Sequence, residues 1–236
     1  MTGRERRIVM GVLAGFAAFA AWLRFYNPAH MAFFCQEDGF VEYSEAFLYL
    51  GAAAIFAFIA TRKGFRNVWY WGYAFLFFAL CGEEVSWGQR IFNVLTPAEL
   101  DAINVQHETN LHNIEGLHRH VRMIGFFICL TICYAIPLTD RYLTGLRRLY
   151  GRLNMPIFPM WTAALPAIGF AFMIVPRLLG SIDFDLDEMG ELYLALSFFG
   201  FALSAYLRAG AVFGRESAPM SAHALASAGA APSLQG

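Results

Sequence analysis

Residues 68–87 read VWYWGYAFLFFALCGEEVSW. The run is apolar without alternation, so it reads as a helix whose every face avoids water, not as a strand with one wet side. At 1.5 Å per residue, a run of this length spans about 30 Å, the hydrocarbon thickness of a bilayer. It closes on two adjacent acids, Glu83 and Glu84. A membrane helix that ends in paired carboxylates sets both the fold class and the functional question.

Five further runs have the same character: 8–26, 40–60, 121–138, 157–179 and 188–207. The chain has 236 residues, 58% of them hydrophobic and 15% charged, with 24 phenylalanines, which excludes an ordinary soluble domain. Helices satisfy their own backbone groups in lipid. The expected fold is therefore all-α: one polytopic transmembrane bundle of about six helices over 1–210, a short extracytoplasmic helical lid at 88–120, and a disordered tail at 211–236. The first run, with its basic start and the string Ala18-Phe19-Ala20-Ala21, also has the form of a signal peptide. Cleavage there would leave five helices without reversing the others.

Positive charge orients the bundle, because lysine and arginine collect in cytoplasmic connections. Of 17 such residues, Arg4, Arg6, Arg7, Arg62, Lys63, Arg66, Arg141, Arg147, Arg148, Arg152, Arg208 and Arg215 fall on one side. Both termini are thus expected in the cytoplasm, and the chain in a cell inner (plasma) membrane. Of 18 carboxylates, only Glu5, Asp140 and Glu216 share that side, so the acidic chemistry faces outward. A net charge of -1 implies no nucleic-acid partner; membrane lipids are the expected partners, with the basic loop at 141–152 suited to anionic headgroups.

The acids differ in how much they need explaining. Glu42 and Glu188 open helices, where a carboxylate complements the macrodipole. Glu45 and Glu191 lie three residues deeper on the same faces, inside apolar runs, and the matching Glu-x-x-Glu strings place them at similar depths. Glu83 and Glu84 stand at a helix C-terminus, where the dipole disfavours them. They call for a cation, a proton or an arginine, and Arg90, seven residues after Glu83, is the simplest partner.

Between the third and fourth spans, Thr96-Pro97-Ala98-Glu99 has the form of a capping box and predicts a short helix. A second helical stretch over 108–118 would set Glu108 four residues from His112 and Glu115 three from His118. Such spacings present two ligands to one metal, and Glu-x-x-His is an element of carboxylate-bridged metal sites. The expected ligands of a divalent metal, Zn, Fe or Mn, are Glu45, Glu84, His112 and Glu191. Glu83 or Glu108 would be the general base and Arg90 would hold an anionic headgroup. His107 and His120 read as solvated loop residues. Ser86 reads as a cap, with a nucleophile as its alternative. The four cysteines form no framework, although Cys35 and Cys81 lie toward the oxidising side, where they could pair. Pro166 is expected to kink the fifth span mid-membrane. There is no Gly-x-Ser-x-Gly elbow, His-Glu-x-x-His helix or phosphate loop.

The strings Gly-Glu-Glu-x-Ser-Trp-Gly-Gln-Arg (82–90) and Gln-x-Glu-x-Asn-Leu-His-Asn (106–113) resemble those of a group of uncharacterised bacterial polytopic membrane proteins, over about residues 37–113. That resemblance implies a membrane fold and no activity. A looser likeness is to the alkaline-ceramidase-like membrane hydrolases, which hold zinc among transmembrane helices. This chain departs from them in lacking paired histidines in its last helices, and the likeness is one of mechanism. Two functions follow as expectations. One is a metal-dependent hydrolase or transferase acting on a lipid or lipid-linked substrate at the outer leaflet; the other is a non-enzymatic cation- or proton-handling protein or a structural membrane subunit. No line of polar residues reaches the cytoplasmic half of any helix, which speaks against conduction.

Overall fold

The computed structural model describes residues 3–36, 38–63, 67–111, 113–181 and 183–216, and among them the only β pairing is one isolated bridge. The helices are α1 Gly3–Tyr26, α2 Pro28–Phe34, α3 Phe40–Lys63, α4 Val68–Glu84, α5 Gln89–Phe92, α6 Ala98–Asp101, α7 His118–Leu130, α8 Ile136–Tyr142, α9 Thr144–Arg152, α10 Ala164–Leu178 and α11 Phe184–Glu216. One π turn, Thr131–Ala135, joins α7 to α8. The fold is an all-α bundle, as its uninterrupted apolar runs require.

Among the described residues, four stretches are long and apolar enough to cross a membrane: Phe40–Arg62, His120–Tyr142, Met160–Leu178 and Phe184–Ala209. The apolar part of α1, Met10–Tyr26, is shorter, and α4 has 17 residues. The run that was expected to continue to Trp87 stops at Glu84, because Ser86, Trp87 and Gly88 take φ values of 46°, 52° and 79°. Three successive left-handed residues cannot continue a right-handed helix. Large side chains remain exposed along α3, α4 and α7, Phe47 and Phe75 at 73% each and Phe127 at 58%, as surfaces meant for lipid would be.

α3 packs against both α4 and α11, and α10 packs against α11. Their shared core is aromatic: Phe56, Phe77, Phe198 and Phe201 are buried to 1% exposure or less. α10 and α11 meet backbone to backbone, since a Cβ on Gly169 would stand 2.6 Å from the Gly190 carbonyl oxygen. Small residues permit that approach where lipid supplies no hydrophobic drive between helices. α1 is tied on by Tyr193 Oη, which donates to the Leu13 carbonyl at 2.5 Å, and by Arg24, whose Nε donates to Asp183 Oδ2 at 2.8 Å.

Several expectations are corrected. Pro166 falls in the first turn of α10, where its missing N–H removes no helical bond, so it makes no mid-membrane kink. Thr96 caps nothing: Pro97 precedes α6, and Thr96 Oγ1 donates to the His107 carbonyl. Residues 108–111 and 113–117 are not helical, so Glu108 and Glu115 lie on no helix face, and His112 is outside the described residues. Cys35 and Cys81 are free thiols, and Cys35 Sγ donates to the Asp185 carbonyl. α11 continues through Glu216, beyond the expected end of the bundle; the tail from 217 lies outside the described residues.

Candidate functional site

α3 and α11 run in the same direction through the bundle and α4 runs against them, so the starts of the first two meet the end of the third. Glu45 on α3, Glu84 on α4 and Glu191 on α11 therefore converge, each offering a carboxylate oxygen, and these oxygens all lie within 4.8 Å of one another. Glu45 is fully buried, and neither of its oxygens has a hydrogen-bond partner. Glu84 and Glu191 are half-buried. Glu42 and Glu188, one turn outward on α3 and α11, add their fields to the cluster. Three carboxylates this close cannot all carry charge unless a cation lies among them.

Beneath the cluster the bundle is closed by rings. Tyr49 follows Glu45 by one turn, Phe198 follows Glu191 by two, and Phe77 precedes Glu84 by two. Their centroids lie 6.5 Å apart for Tyr49 and Phe77, 6.5 Å for Tyr49 and Phe198, and 5.1 Å for Phe77 and Phe198. This aromatic floor separates the carboxylates from the opposite end of the bundle.

Beyond the end of α4, residues 103–111 and 113–115 form a bridged loop in place of the expected second helical stretch. The Val105 N–H donates to the Asn113 carbonyl at 2.9 Å and the Glu115 N–H to the Ile103 carbonyl at 2.8 Å, closing an antiparallel bridge between Asn104 and Ile114. Its interior is polar and internally satisfied. Glu108 Oε2 accepts from Ser86 Oγ at 3.0 Å and Asn110 Nδ2 at 2.6 Å. Asn104 Nδ2 donates to Asn110 Oδ1 at 3.0 Å, while Asn104 Oδ1 accepts from the Glu108 N–H at 3.1 Å. Buried polar groups that pair so fully specify one loop conformation.

This loop is fastened at three points to the end of α4 and the residues that follow it. Glu83 Oε2 accepts the Leu111 N–H at 2.7 Å, Gln89 Oε1 accepts the Thr109 N–H at 2.6 Å, and Ser86 reaches Glu108 as described. The other oxygen of Glu83 accepts from Trp87 Nε1 at 2.8 Å, which seats the indole over Gly82. A Cβ on Gly82 would lie 3.0 Å from that ring.

Three of the four expected metal ligands are thus brought together, and the fourth, His112, lies outside the described residues. Glu83 and Glu108, read as alternative bases, hold the lid. Arg90 sits in α5 with its side chain outside the described set, as is that of His118; Glu115 is exposed. Ser86 is neither a helix cap nor paired with a histidine among the described residues: its hydroxyl donates to Glu108. Exposed His107 takes Asp101 as its partner, at 3.1 Å. Sequence reasoning missed the buried asparagines, two of which, Asn110 and Asn113, it had placed on a helix. It also missed the ion pairs at the start of α11: Arg24 with Asp183, just before the helix, and Arg177 with Asp187 at 2.6 Å. No family model, curated protein or solved structure matches the chain, so its functional reading rests on the convergence of Glu45, Glu84 and Glu191.

Proposed function

We propose that the chain is an integral membrane protein that holds a divalent cation among Glu45, Glu84 and Glu191 at the outer end of its bundle, and that it acts there as a metal-dependent hydrolase or transferase on a lipid or lipid-linked substrate. The observation that carries the reading is Glu45: a carboxylate with no exposure and no hydrogen-bond partner, turned toward two further carboxylates. Leaving it unpaired costs several kcal/mol at the order-of-magnitude level, which a bound cation offsets.

The donor set fits such an ion. Three carboxylate oxygens suit Mg, Ca or Mn, and a histidine ligand would extend the preference to Fe and Zn. Fewer protein ligands than coordination positions is the pattern of catalytic centres, in which the metal polarises a substrate oxygen or lowers the pKa of bound water. Around it, Glu45 fixes the inner face of the site and the aromatic floor keeps water from arriving from below. The lid, tied through Glu83 and Gln89, covers the mouth.

The floor favours a catalytic centre over a conduit. A path for ions needs polar groups along its length, whereas Tyr49, Phe77 and Phe198 close the inward side. The test is metal analysis by mass spectrometry on detergent-purified protein, native and with Glu84→Gln, Glu45→Gln or His112→Ala, each checked for monodispersity. Near-stoichiometric metal that falls in the glutamate variants supports the centre, and turnover of lipid substrates by the loaded protein supports the enzyme. Well-folded native protein that stays metal-free after reconstitution with Mn, Fe, Zn, Ca and Mg ends this reading. Metal bound without turnover, together with cation uptake into vesicles, would move the function to ion handling.

A further inference from the structure

One helical turn outward from the carboxylate cluster, α11 carries Asp187, four residues before Glu191 and so about 6 Å along the axis. Its side chain is 6% exposed, and both of its oxygens are taken by one arginine: Arg177 Nη1 donates to Oδ1 and Nη2 to Oδ2, at 2.6 Å each. This is the two-pronged geometry that satisfies a carboxylate fully. A second arginine stands beside the pair. Arg122, near the start of α7, brings Nη1 to 3.7 Å from Asp187 Oδ2, beyond hydrogen-bond distance, with its side chain 41% exposed. Arg24, another arginine of this end, is engaged by Asp183 at 2.8 Å and Asp185 at 3.8 Å. Arg122 therefore keeps a fork of donors that its acidic neighbour does not use, beside the mouth of the site and at the entry of a membrane span.

We propose that Arg122 binds the phosphate group of an anionic ligand seated next to the Glu45–Glu84–Glu191 cation site, so that the substrate class of this protein is phosphate-bearing. The inference rests on the cation reading. Its chemistry is direct: a guanidinium matches two phosphate oxygens in one plane, and a neighbouring cation takes a third. Headgroup phosphates stand at the depth where a span begins, and a free phosphate would meet the same donors. Cation and phosphate then reinforce one another, because two ligands that touch in one site share a coupling free energy and each raises the other's affinity by the same factor.

The experiment titrates Mn²⁺ into the purified full-length chain, following free Mn²⁺ by electron paramagnetic resonance at matched free-ion activity. One arm uses phosphate-free detergent buffer, one adds inorganic phosphate, and two use nanodiscs of phosphatidylglycerol or of a phosphate-free galactolipid. Phosphate is expected to tighten Mn²⁺ binding about tenfold, within the ordinary range of such couplings. Arg122→Gln should abolish the enhancement while leaving phosphate-free Mn²⁺ affinity within about twofold, and Arg122→Lys, which keeps the charge, should retain part of it. Enhancement by inorganic phosphate assigns a free phosphate group, and enhancement only in phosphatidylglycerol assigns a lipid headgroup; both support the proposal. Mn²⁺ binding that ignores both phosphate sources overturns it, as does enhancement unchanged in Arg122→Gln. So does an equal loss of Mn²⁺ affinity in that variant with and without phosphate, which would make Arg122 a charge balance only. Absence of Mn²⁺ binding in the phosphate-free arm is a separate failure, that of the cation site itself.

Discussion

Glu83 and Glu84 are neighbours in the chain whose carboxylates serve different structures. Glu83 turns outward and accepts from Trp87 and from the backbone of Leu111; Glu84 turns inward to Glu45 and Glu191. Two residues 100° apart on a helix face different neighbours, so an acidic pair at one helix end divides its work between lid and centre. Their substitutions should separate accordingly. Glu84→Gln is expected to abolish cation binding and leave the lid closed. Glu83→Ala is expected to keep the cation and release the lid, raising the hydrogen-exchange rate of the Leu111 amide by about tenfold or more, the equivalent of one hydrogen bond to a charged group. Identical exchange in wild type and Glu83→Ala would show that the lid is held by other means.

Glu45 makes a second prediction because its oxygens lack partners. Replacing it with methionine removes two unpaired buried oxygens at nearly constant volume. In the metal-free protein Glu45→Met should gain about 1–3 kcal/mol, a rise of several degrees in Tm for a chain of this size. The same variant should lose the rise in Tm that saturating cation gives the native protein. Thermal scans with and without cation measure both. Destabilisation of the metal-free form would mean that the carboxyl is needed for packing.

The Cys35 thiol is pushed up to about 12, first by its burial and then by nearby Asp185. Its thiolate is correspondingly scarce at pH 8, about a thousandfold below that of an unperturbed thiol, so maleimide labelling of the folded protein should be slow and should rise about tenfold per pH unit. The folded thiol keeps its proton longer than the unfolded one. It therefore contributes stability that is present below about pH 9 and is lost as the pH rises toward 12. Rapid labelling at neutral pH would place Cys35 in a more open environment than the one seen here.

Gly169 and Gly190 test the α10–α11 contact. Gly169→Leu would drive a side chain into the Gly190 carbonyl, 2.6 Å from the new Cβ, and should separate the helices and lower the yield of monodisperse protein. Gly125→Ala, where a new Cβ meets nothing within 4 Å, is the control and should behave as wild type. Equal yields for the two variants would argue against the close crossing.

Legibility in the sequence followed the cost of each feature. Membrane helices show because uninterrupted apolar runs have no other inexpensive fate. Glu45, Glu84 and Glu191 show because a carboxylate inside such a run must be compensated, and equal depth on α3 and α11 follows from their matching Glu-x-x-Glu strings. The lid was harder. Asn104, Asn110 and Asn113 have no period, and their structure comes from side chains bonding to one another and to Glu108, which no helical template anticipates. Arg122 and Asp187 were hidden differently: each fits an ordinary role at a helix start or a membrane interface, and only the three-dimensional arrangement shows Arg177 taking both oxygens of Asp187 and leaving Arg122 aside. Pro166 was misplaced by a boundary, since moving the helix start by a few residues turns a kink into a first-turn proline.

The rings of Tyr49, Phe77 and Phe198 make the site a blind alley. Whatever reaches the carboxylates enters and leaves at their own end of the bundle, so in the proposed reaction a product that lingers blocks its successor. On the proposed catalytic reading, inhibition by product should then be competitive with substrate, and an inhibitor aimed at this centre would have to approach from the carboxylate end of the bundle, never through the floor.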